Sequence, residues 1–228
     1  MLRRFPTLLP AILLLAGCLG TPQPDPPNVF GVDPDRLRSW PSDGPTVRIE
    51  GRAGAVYPPE ASLRIYPLDR TEAAVDVTPD ADGSFSVDVA GAYGEQFRLQ
   101  VRLGEDRASP LDIIVDVDRV LLPERPLADC LTTTPGPVAS LVPGEQATIQ
   151  VVNECSAPVS LSRIEPRTPD APFFVVSPTA PVDVPSGGRL PVVVESLLAP
   201  GESGEELLLL EISAPQPDRR PITVVGLP

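Results

Sequence analysis

Apolar and polar residues alternate with a period of two in six short segments of the first half of the chain. These segments are residues 46–50, 63–66, 75–77, 85–89, 97–103 and 111–117. A period of two puts apolar side chains on one face of a β-strand and polar side chains on the other. Short strands separated by turn sequences such as Tyr57-Pro58-Pro59 predict a two-sheet β-sandwich over residues 45–118.

A second series of such segments predicts a second β-sandwich over residues 128–228, after a linker at residues 119–127. Its segments are residues 147–152, 159–164, 173–176, 182–184, 190–194, 207–212 and 222–225. The segment Leu207–Ile212 differs from the others because Glu211 is its only polar residue. Such a run predicts a strand that is buried on both faces or lies against the neighbouring domain.

The first eighteen residues have the pattern of an export signal. Residues 1–4 include two arginines, and the apolar run at residues 5–15 is shorter than the roughly 20 residues that a membrane-spanning helix needs. The sequence that follows, Leu15-Ala16-Gly17-Cys18, resembles the lipobox of bacterial lipoproteins at all four positions. The alternative is an ordinary signal peptide that happens to contain a cysteine at this position.

By the lipobox resemblance, residues 1–17 are a signal peptide, cleavage falls between Gly17 and Cys18, and Cys18 carries acyl chains such as palmitate. Two or more acyl chains anchor a protein stably to a membrane. Leu19 stands where enteric-type lipoproteins that stay in the inner membrane carry Asp, and this implies the outer membrane. We therefore expect a lipid-anchored protein of the bacterial cell envelope, located at the outer membrane.

Residues 18–44 are expected to form a Pro-rich tether between the lipidated cysteine and the first sandwich. The sequence Thr21–Pro27 favours extended polyproline, which acts as a semi-rigid spacer. Residues Val32–Trp40 are expected to contain one short helical turn. Trp40, the single tryptophan, is expected to cover the open end of the first sandwich, and stacking on a ligand is the alternative.

The chain has three cysteines, and lipidation of Cys18 leaves Cys130 and Cys155. An exported chain folds in an oxidising compartment, where an even number of cysteines favours pairing. A metal pair is the alternative, but two cysteines in a chain without histidine make a poor zinc site. We predict a Cys130–Cys155 disulfide, with Cα atoms about 4.4–6.8 Å apart.

Composition narrows the chemistry that the chain can perform. All 18 basic residues are arginine, and the chain contains neither lysine nor histidine. This excludes Ser-His-Asp and Cys-His catalysis, Schiff-base lysines and the P-loop. The formal net charge of -13 argues against a nucleic-acid partner, because phosphate binding needs a basic face.

Carboxylates remain as acid–base groups, but the sequence gives them no catalytic setting. A glycosidase needs two carboxylates across a cleft, commonly beside aromatic platforms, and aromatic residues make up only 4% of this chain. The Asp-Thr-Gly and Asp-Ser-Gly motifs of aspartic proteases are absent. Acids such as Glu205 and Glu206 are expected on solvated faces. We predict a non-catalytic protein with no cofactor and no metal site.

The first predicted sandwich is similar to the Ig-like and carboxypeptidase-regulatory-type modules of bacterial surface proteins. The similarity lies in the turn Gly51–Pro59, the sequence Asp80-Ala81-Asp82-Gly83-Ser84-Phe85 and the strand Phe97–Val101. The Asp80–Ser84 sequence also looks like the start of a calcium loop, but it lacks the later acids that an EF-hand needs. We therefore expect a hairpin turn there, between Val77 and Phe85.

The second predicted sandwich resembles the ASH/MSP-like immunoglobulin-type domains of Hydin-like and bacterial surface proteins. The order of motifs carries the resemblance: Pro143-Gly144-Glu145 before Ile149–Asn153, then Ala157–Leu161, Phe173–Val175, Val184–Gly188 before Leu190–Val194, and Ile222–Gly226. By that resemblance, Asn153 ends a strand and its side chain bonds the backbone of the next turn. Leu197–Gly201 departs from the family, where an aromatic-Pro pair is commoner.

The predicted fold class is all-β, with two consecutive Ig-like β-sandwich domains after a lipoprotein signal peptide and a Pro-rich tether. The resemblances imply binding instead of catalysis. We expect a membrane-anchored envelope scaffold or protein-interaction module, whose partner is an unknown envelope or surface protein that meets a proline-poor edge strand. The alternative is a surface module that binds polysaccharide or calcium.

Overall fold

The computed structural model describes residues 30–42 and 44–227, and this part of the chain forms twenty β-strands and one short 3-10 helix, Pro34–Arg36. The strands are β1 Gly31–Val32, β2 Leu37–Pro41, β3 Thr46–Gly51, β4 Val56–Tyr57, β5 Ser62–Pro67, β6 Val75–Val77, β7 Phe85–Ala90, β8 Gln96–Leu103, β9 Asp106–Arg107, β10 Leu111–Asp116, β11 Arg119–Leu121, β12 Leu131–Thr134, β13 Val138–Leu141, β14 Gln146–Asn153, β15 Val159–Pro166, β16 Phe173–Ser177, β17 Val182–Val184, β18 Arg189–Ser196, β19 Gly204–Ala214 and β20 Asp218–Gly226. Within the described ranges, no helix is long and apolar enough to cross a membrane.

Strands β1–β11 build the first sandwich. One sheet has the order β2-β3-β7, and the facing sheet has the order β11-β10-β8-β5-β6, with β9 paired to β8. The alternating apolar residues of these strands meet between the sheets, as their period of two requires. Fully buried members of this core are Ile49, Leu63, Ile65, Phe97 and Ile113.

Strands β12–β20 build the second sandwich from the sheets β12-β14-β18-β16 and β13-β20-β19-β15-β17. β13 runs parallel to β20, whereas the other pairs of this sandwich are antiparallel. Fully buried members of its core are Leu161, Val192, Val194, Leu208 and Leu210. The predicted fold class is confirmed: the chain is all-β, with two consecutive Ig-like β-sandwiches.

The predicted tether at residues 18–44 extends too far, because residues 31–41 belong to the first sandwich. Strand β2 pairs with β3 along its whole length. Leu37 packs in the core, and the Ser39 hydroxyl lies 2.7 Å from the carbonyl oxygen of Asp116. The prediction missed β2 because one of its inward-facing residues is a serine, which hides the apolar alternation. Residues 18–29 of the tether lie outside the described residues.

The expected helical turn is present as the 3-10 helix, which ends before Trp40. Asp33 caps this helix by accepting a hydrogen bond from the Asp35 backbone N–H at 3.0 Å. Trp40 lies in β2, and its Nε1 donates to Glu50 Oε2 on the neighbouring β3 at 3.0 Å. The indole is therefore held by a cross-strand hydrogen bond.

The connection between the sandwiches is shorter than the predicted linker at residues 119–127. Arg119–Leu121 forms β11 and pairs with β10, so the first sandwich continues past the predicted end at residue 118. Leu127 packs in the core of the second sandwich, which therefore begins before residue 128. Residues 122–126 remain as the connection.

The Asp80–Ser84 sequence forms a tight turn, but the hairpin prediction is wrong. β6 pairs with β5 and β7 pairs with β3, so the turn carries the chain from one sheet to the other. The Gly83 N–H donates to the Asp80 carbonyl oxygen at 2.8 Å. Gly83 has a φ of +79°, and a Cβ there would lie 2.3 Å from the Val56 carbonyl oxygen, so the turn requires glycine.

The two sandwiches pack against each other through their larger sheets, and we call this contact the seam. Along β8, Phe97 faces the first core, whereas Gln100 faces the second sandwich and accepts a hydrogen bond from the Thr223 hydroxyl at 3.0 Å. Along β19, Leu208 faces the second core, whereas Leu209 faces the first sandwich. The molecule is thus a stack of four sheets with the seam in its middle.

Candidate functional site

The structure covers part of the predicted site. Gly17 and Cys18, the predicted cleavage and lipidation residues, lie outside the described residues. Cys130 and Cys155 form the predicted disulfide, with a Cα–Cα distance of 4.7 Å. Cys130 immediately precedes β12 and Cys155 closely follows β14, so the bond fastens an edge strand to its neighbour.

Asn153 organises the loops beside this disulfide. Its side chain is fully buried, and Nδ2 lies 3.0 Å from the Ala157 carbonyl oxygen and 2.9 Å from that of Val184. Asn153 Oδ1 accepts a hydrogen bond from the Cys155 N–H at 2.9 Å. The expected bonding of the turn backbone by Asn153 is confirmed, and its task is structural.

The turn that looks like a calcium loop uses its carboxylates internally. The Ser84 hydroxyl lies 2.6 Å from Asp82 Oδ1 and 3.3 Å from Asp80 Oδ2. The hydrogen bond from Ser84 lowers the pKa of Asp82. Across the described ranges, no group of three or more Asp, Glu, Cys or His side chains is placed to hold a metal ion.

The seam has a small apolar centre. Tyr66 and Leu68 of the first sandwich pack against Leu207 and Leu209 of β19, and all four are buried. The alternate residues of the same strand lie in the second core. The prediction that Leu207–Ile212 is buried on both faces, against the neighbouring domain, is confirmed.

A buried carboxylate lies beside this apolar centre. The Tyr66 hydroxyl donates to Glu205 Oε1 at 2.6 Å, and Arg107 Nε donates to Glu205 Oε2 at 2.6 Å. Only 3% of the Glu205 side chain is exposed. Burial, together with the Glu205 carboxylate, raises the pKa of Tyr66 far above its ordinary value, so the phenol stays protonated and donates.

Arg167 crosses the seam from the second sandwich to the first. Its Nε and Nη2 form a bidentate ion pair with Glu206, at 3.0 and 2.9 Å. Its Nη1 donates to the carbonyl oxygens of Glu72 at 2.7 Å and Arg70 at 3.1 Å. One guanidinium therefore neutralises a buried carboxylate and also satisfies the backbone of a loop in the other sandwich.

A further buried ion-pair network surrounds Asp112. Its carboxylate accepts hydrogen bonds from Arg98 Nε at 2.7 Å and from Arg125 Nη2 at 2.7 Å. Burial alone would raise the pKa of Asp112, but the two guanidinium groups outweigh burial and hold that pKa below its ordinary value. Arg125 also donates to the Arg219 carbonyl oxygen of β20 at 2.6 Å, which joins this network to the second sandwich.

The expectation that Glu205 and Glu206 lie on a solvated face is wrong, because both are buried in the seam. A signal for this was present in the sequence. The two acids directly precede Leu207–Ile212, the segment predicted to lie against the neighbouring domain. Acids at the end of such a strand enter the same contact and need arginine partners there.

The outer face of the sheet β12-β14-β18-β16 carries an exposed apolar patch, which we define as Phe174, Val176 and Leu197. Their exposed fractions are 39%, 42% and 60%. Phe174 and Val176 are alternate residues of the edge strand β16, and Leu197 follows its partner β18. Phe174 and Leu197 both line a cleft of about 400 Å³.

The edges of the second sandwich are less available than its face. The edge strands β13, β16 and β17 are three to five residues long, and each has a proline within two residues of both ends. Proline and short length are features that block the addition of a further strand. The fourth edge strand, β12, has a proline beside one end only, Pro135, and its other end is fastened by the Cys130–Cys155 disulfide. Of the four edges in the described part of this sandwich, β12 therefore comes nearest to the expected proline-poor edge.

The sequence matches no protein-family model and no curated protein. Among solved structures, the chain is similar to a protein of unknown function from Porphyromonas gingivalis W83, with 17% identity over 86% of this chain and 98% of that chain and a TM-score of 0.34. It is also similar to the VesB protease of Vibrio cholerae, with 12% identity over 73% of this chain and 62% of that chain and a TM-score of 0.37. A segment of two fibronectin type III domains from chicken tenascin is 13% identical over 86% of this chain and 98% of that chain, with a TM-score of 0.27. These likenesses concern the β-sandwich fold and transfer no function.

Proposed function

We propose that the protein is a non-catalytic, lipid-anchored scaffold of the bacterial outer membrane, which binds another envelope or surface protein through the patch Phe174, Val176 and Leu197. The patch is the observation that carries the contact, because exposed apolar side chains grouped beside a cleft are typical of protein-binding sites. The lipobox resemblance of Leu15–Cys18 supports the anchor.

The seam supports a scaffold function. Tyr66 packs against leucines of the second sandwich, and Arg107 of the first sandwich pairs with Glu205 of the second. Arg167 donates across the seam to the Glu72 carbonyl oxygen. Phe174 and Val176 lie on an edge strand of the sheet that faces away from the seam, but the cleft beside them also includes Thr71 of the first sandwich and the seam residue Arg167. A partner that enters this cleft therefore contacts both sandwiches while they stay joined.

The charges around the patch define the chemistry of the partner. Arg163 pairs with Glu165 in the lining of the cleft, so these two charges balance each other. Glu195, opposite Phe174 in the strand register, and the exposed Asp170 are in no ion pair among the described residues. These two acids favour a partner surface with apolar side chains in its middle and arginine or lysine at its rim.

Labelling and fractionation test the anchor. The wild-type protein should take up labelled palmitate and fractionate with the outer membrane, because the acyl chains on Cys18 hold it there. The Cys18→Ser variant should take up no palmitate and should leave the membrane fraction. Equal fractionation of both proteins, without palmitate uptake by either, would contradict the anchor.

Photocrosslinking in intact envelopes tests the contact. A crosslinking residue at Val176 should give a discrete adduct, and Leu197→Asp should weaken that adduct about tenfold, as expected for a central interface residue. Val117 is the matched control, because it is 58% exposed but lies in the turn between β10 and β11 of the first sandwich. The same adduct from both positions, or an adduct at Val176 that survives Leu197→Asp, would contradict the proposal.

A further inference from the structure

A second cleft opens beside the seam, and it shares no lining residue with the cleft beside the patch. It has a volume of about 410 Å³, and both sandwiches line it. The first sandwich contributes Arg64, Arg102 and Arg107, and the second contributes Ser203, Glu205 and Gly226. Three guanidinium groups thus meet in one cleft of a protein whose formal net charge is -13.

The carboxylates near these arginines pair with them only in part. Glu205 is held by Arg107 at 2.6 Å, and Arg102 Nε lies 3.6 Å away from it. Asp76 is 2.9 Å from Arg102 but 3.5 Å from Arg64, and its own side chain is 58% exposed. The residues that line the cleft are three arginines and two glutamates, Glu105 and Glu205, so the lining itself has one positive charge in excess, which the exposed Asp76 offsets from outside the cleft.

Arg64 has the weakest pairing of the three arginines, since its only ion pair is the 3.5 Å contact with Asp76. Its Nε is buried and has no hydrogen-bond partner among the described residues. Its guanidinium carbon lies 5.4 Å from the centroid of the buried Tyr66 ring, which fixes the group by a cation–π contact. A buried donor without an acceptor is unfavourable, and 24% of the Arg64 side chain remains exposed.

We propose that this cleft binds a small organic anion, a carboxylate or phosphate carried on a molecule of about the size of a sugar, through Arg64 and Arg102. The guanidinium group matches both anions because its parallel N–H donors fit two oxygens at once. Ser203 and the cleft volume accommodate the neutral remainder of the ligand. Glu205 and Tyr66 hold the lining side chains in place before binding, which lowers the entropic cost of binding.

Glu105 makes the site adjustable. It lines the same cleft from the exposed turn between β8 and β9, and its negative charge opposes a bound anion. No ion pair of Glu105 is present among the described residues, so its replacement leaves the seam intact. Removal of this charge should therefore strengthen anion binding, whereas removal of the Arg64 charge should weaken it.

Calorimetric titration of the full-length lipoprotein in non-ionic detergent at low salt tests the site. Glucose 1-phosphate and glucuronate are the anionic probes, and glucose is the neutral probe. We expect saturable one-to-one binding of at least one anion and none of glucose, and the comparison of the two anions identifies the preferred group. Binding of neither anion, or equal binding of glucose, would overturn the proposal.

Three variants sharpen the test. Arg64→Gln should weaken binding at least about tenfold, Glu105→Gln should strengthen it about threefold, and Arg119→Gln, which changes an exposed arginine far from the cleft, should leave it unchanged. If Arg64→Gln fails to fold, unchanged affinity of Glu105→Gln refutes the proposal by itself. Crosslinking at Val176 should persist in both cleft variants, so failure of the anion site and failure of the proposed function remain distinguishable.

Discussion

The core of the second sandwich and the seam lie on opposite faces of the same strand, β19, but they differ in chemistry. Leu208 and Leu210 face a core of aliphatic side chains, and neither is exposed to solvent. Leu207 and Leu209, on the other face, share the seam with buried arginine, glutamate and tyrosine side chains. The leucines on both faces are equally buried, but their neighbours are aliphatic side chains on one face and include hydrogen-bonded ion pairs on the other.

This difference separates two tasks. An aliphatic core gains free energy from burial and tolerates changes that preserve volume. Buried ion pairs gain little net free energy, because desolvation offsets their attraction, but a shifted contact leaves a charge without its partner. We infer that the cores provide most of the stability, whereas pairs across the seam, such as Arg107–Glu205, fix how the two sandwiches meet.

Removal of Arg167 should cause the largest loss of stability on the seam face of β19. Arg167→Met leaves the buried Glu206 carboxylate without its bidentate partner, so we expect a loss of about 3–5 kcal/mol in the free energy of unfolding. Equilibrium denaturation measures it. The double variant Arg167→Met/Glu206→Leu should recover part of the loss, because no charge then remains buried. A double variant as unstable as the single one would show that the backbone contacts of Arg167 dominate instead.

Leucine truncation on the two faces of β19 should separate stability from coupling. Leu208→Ala and Leu209→Ala should each cost about 2–5 kcal/mol, since both side chains are buried. Trp40 emission follows the first sandwich, and far-UV circular dichroism follows both. In Leu208→Ala the two signals should still change together, at a lower denaturant concentration. In Leu209→Ala they should change separately, because the contact shared by the sandwiches is weakened. Coincident transitions in Leu209→Ala would contradict a coupling role for this leucine.

The sequence predicted most of the strands that form the cores and missed several strands of two to five residues. Each alternating segment is a strand in the structure, because its apolar residues recur with a period of two. β11, β12 and β13 were missed, and in β12 Leu131 is the only apolar residue. β1, β4 and β9 are only two residues long, and no pattern can appear over that length. β2 is longer, but Ser39 occupies one of its inward positions.

The site residues could be predicted only where they bond to neighbours in sequence or where the number of residues of one type determines the pairing. The disulfide followed from the number of cysteines in a chain predicted to be exported, and Asn153 bonds a turn close to it in sequence. The contacts across the seam are different: Tyr66 and Glu205 are 139 residues apart, and Arg167 is 95 residues from Glu72, to whose carbonyl oxygen it donates. Such pairs depend on the relative position of two sandwiches, which alternation within each strand does not encode.

Loss of the Tyr66 hydroxyl should have a smaller effect than truncation of a leucine. Tyr66→Phe keeps the ring in the seam but removes a donor from Glu205, so we expect a loss of about 1–3 kcal/mol in the free energy of unfolding.

The raised pKa of Tyr66 also predicts how stability depends on pH. The protonated Tyr66 hydroxyl makes its full contribution to stability below about pH 10, the ordinary pKa of tyrosine. This contribution is lost as the pH rises towards the higher pKa of the folded state. Denaturation of the wild type between pH 9 and 11 should show this loss, and the variant should lack it; an identical alkaline slope in both would contradict the assignment.

The smallest expected effect is a change of carboxyl pKa with salt, which should differ between a carboxylate of the seam and one at the surface. The pKa of Asp112 is lowered because Arg98 and Arg125 outweigh burial, and the pKa of Asp88 is lowered by its hydrogen bond from Arg48. Both contributions to stability are complete above about pH 4 and are lost as the pH falls through the folded-state pKa values. The Arg48–Asp88 pair has exposed fractions of 46% and 42%, so ions in solution can screen it, whereas the Asp112 side chain is 12% exposed. In a carboxyl-carbon NMR titration, added salt should therefore move the pKa of Asp88 back towards its ordinary value and leave that of Asp112 nearly unchanged. Equal movement of both would show that the seam admits solvent ions and would remove the distinction between a buried and an exposed ion pair in this protein.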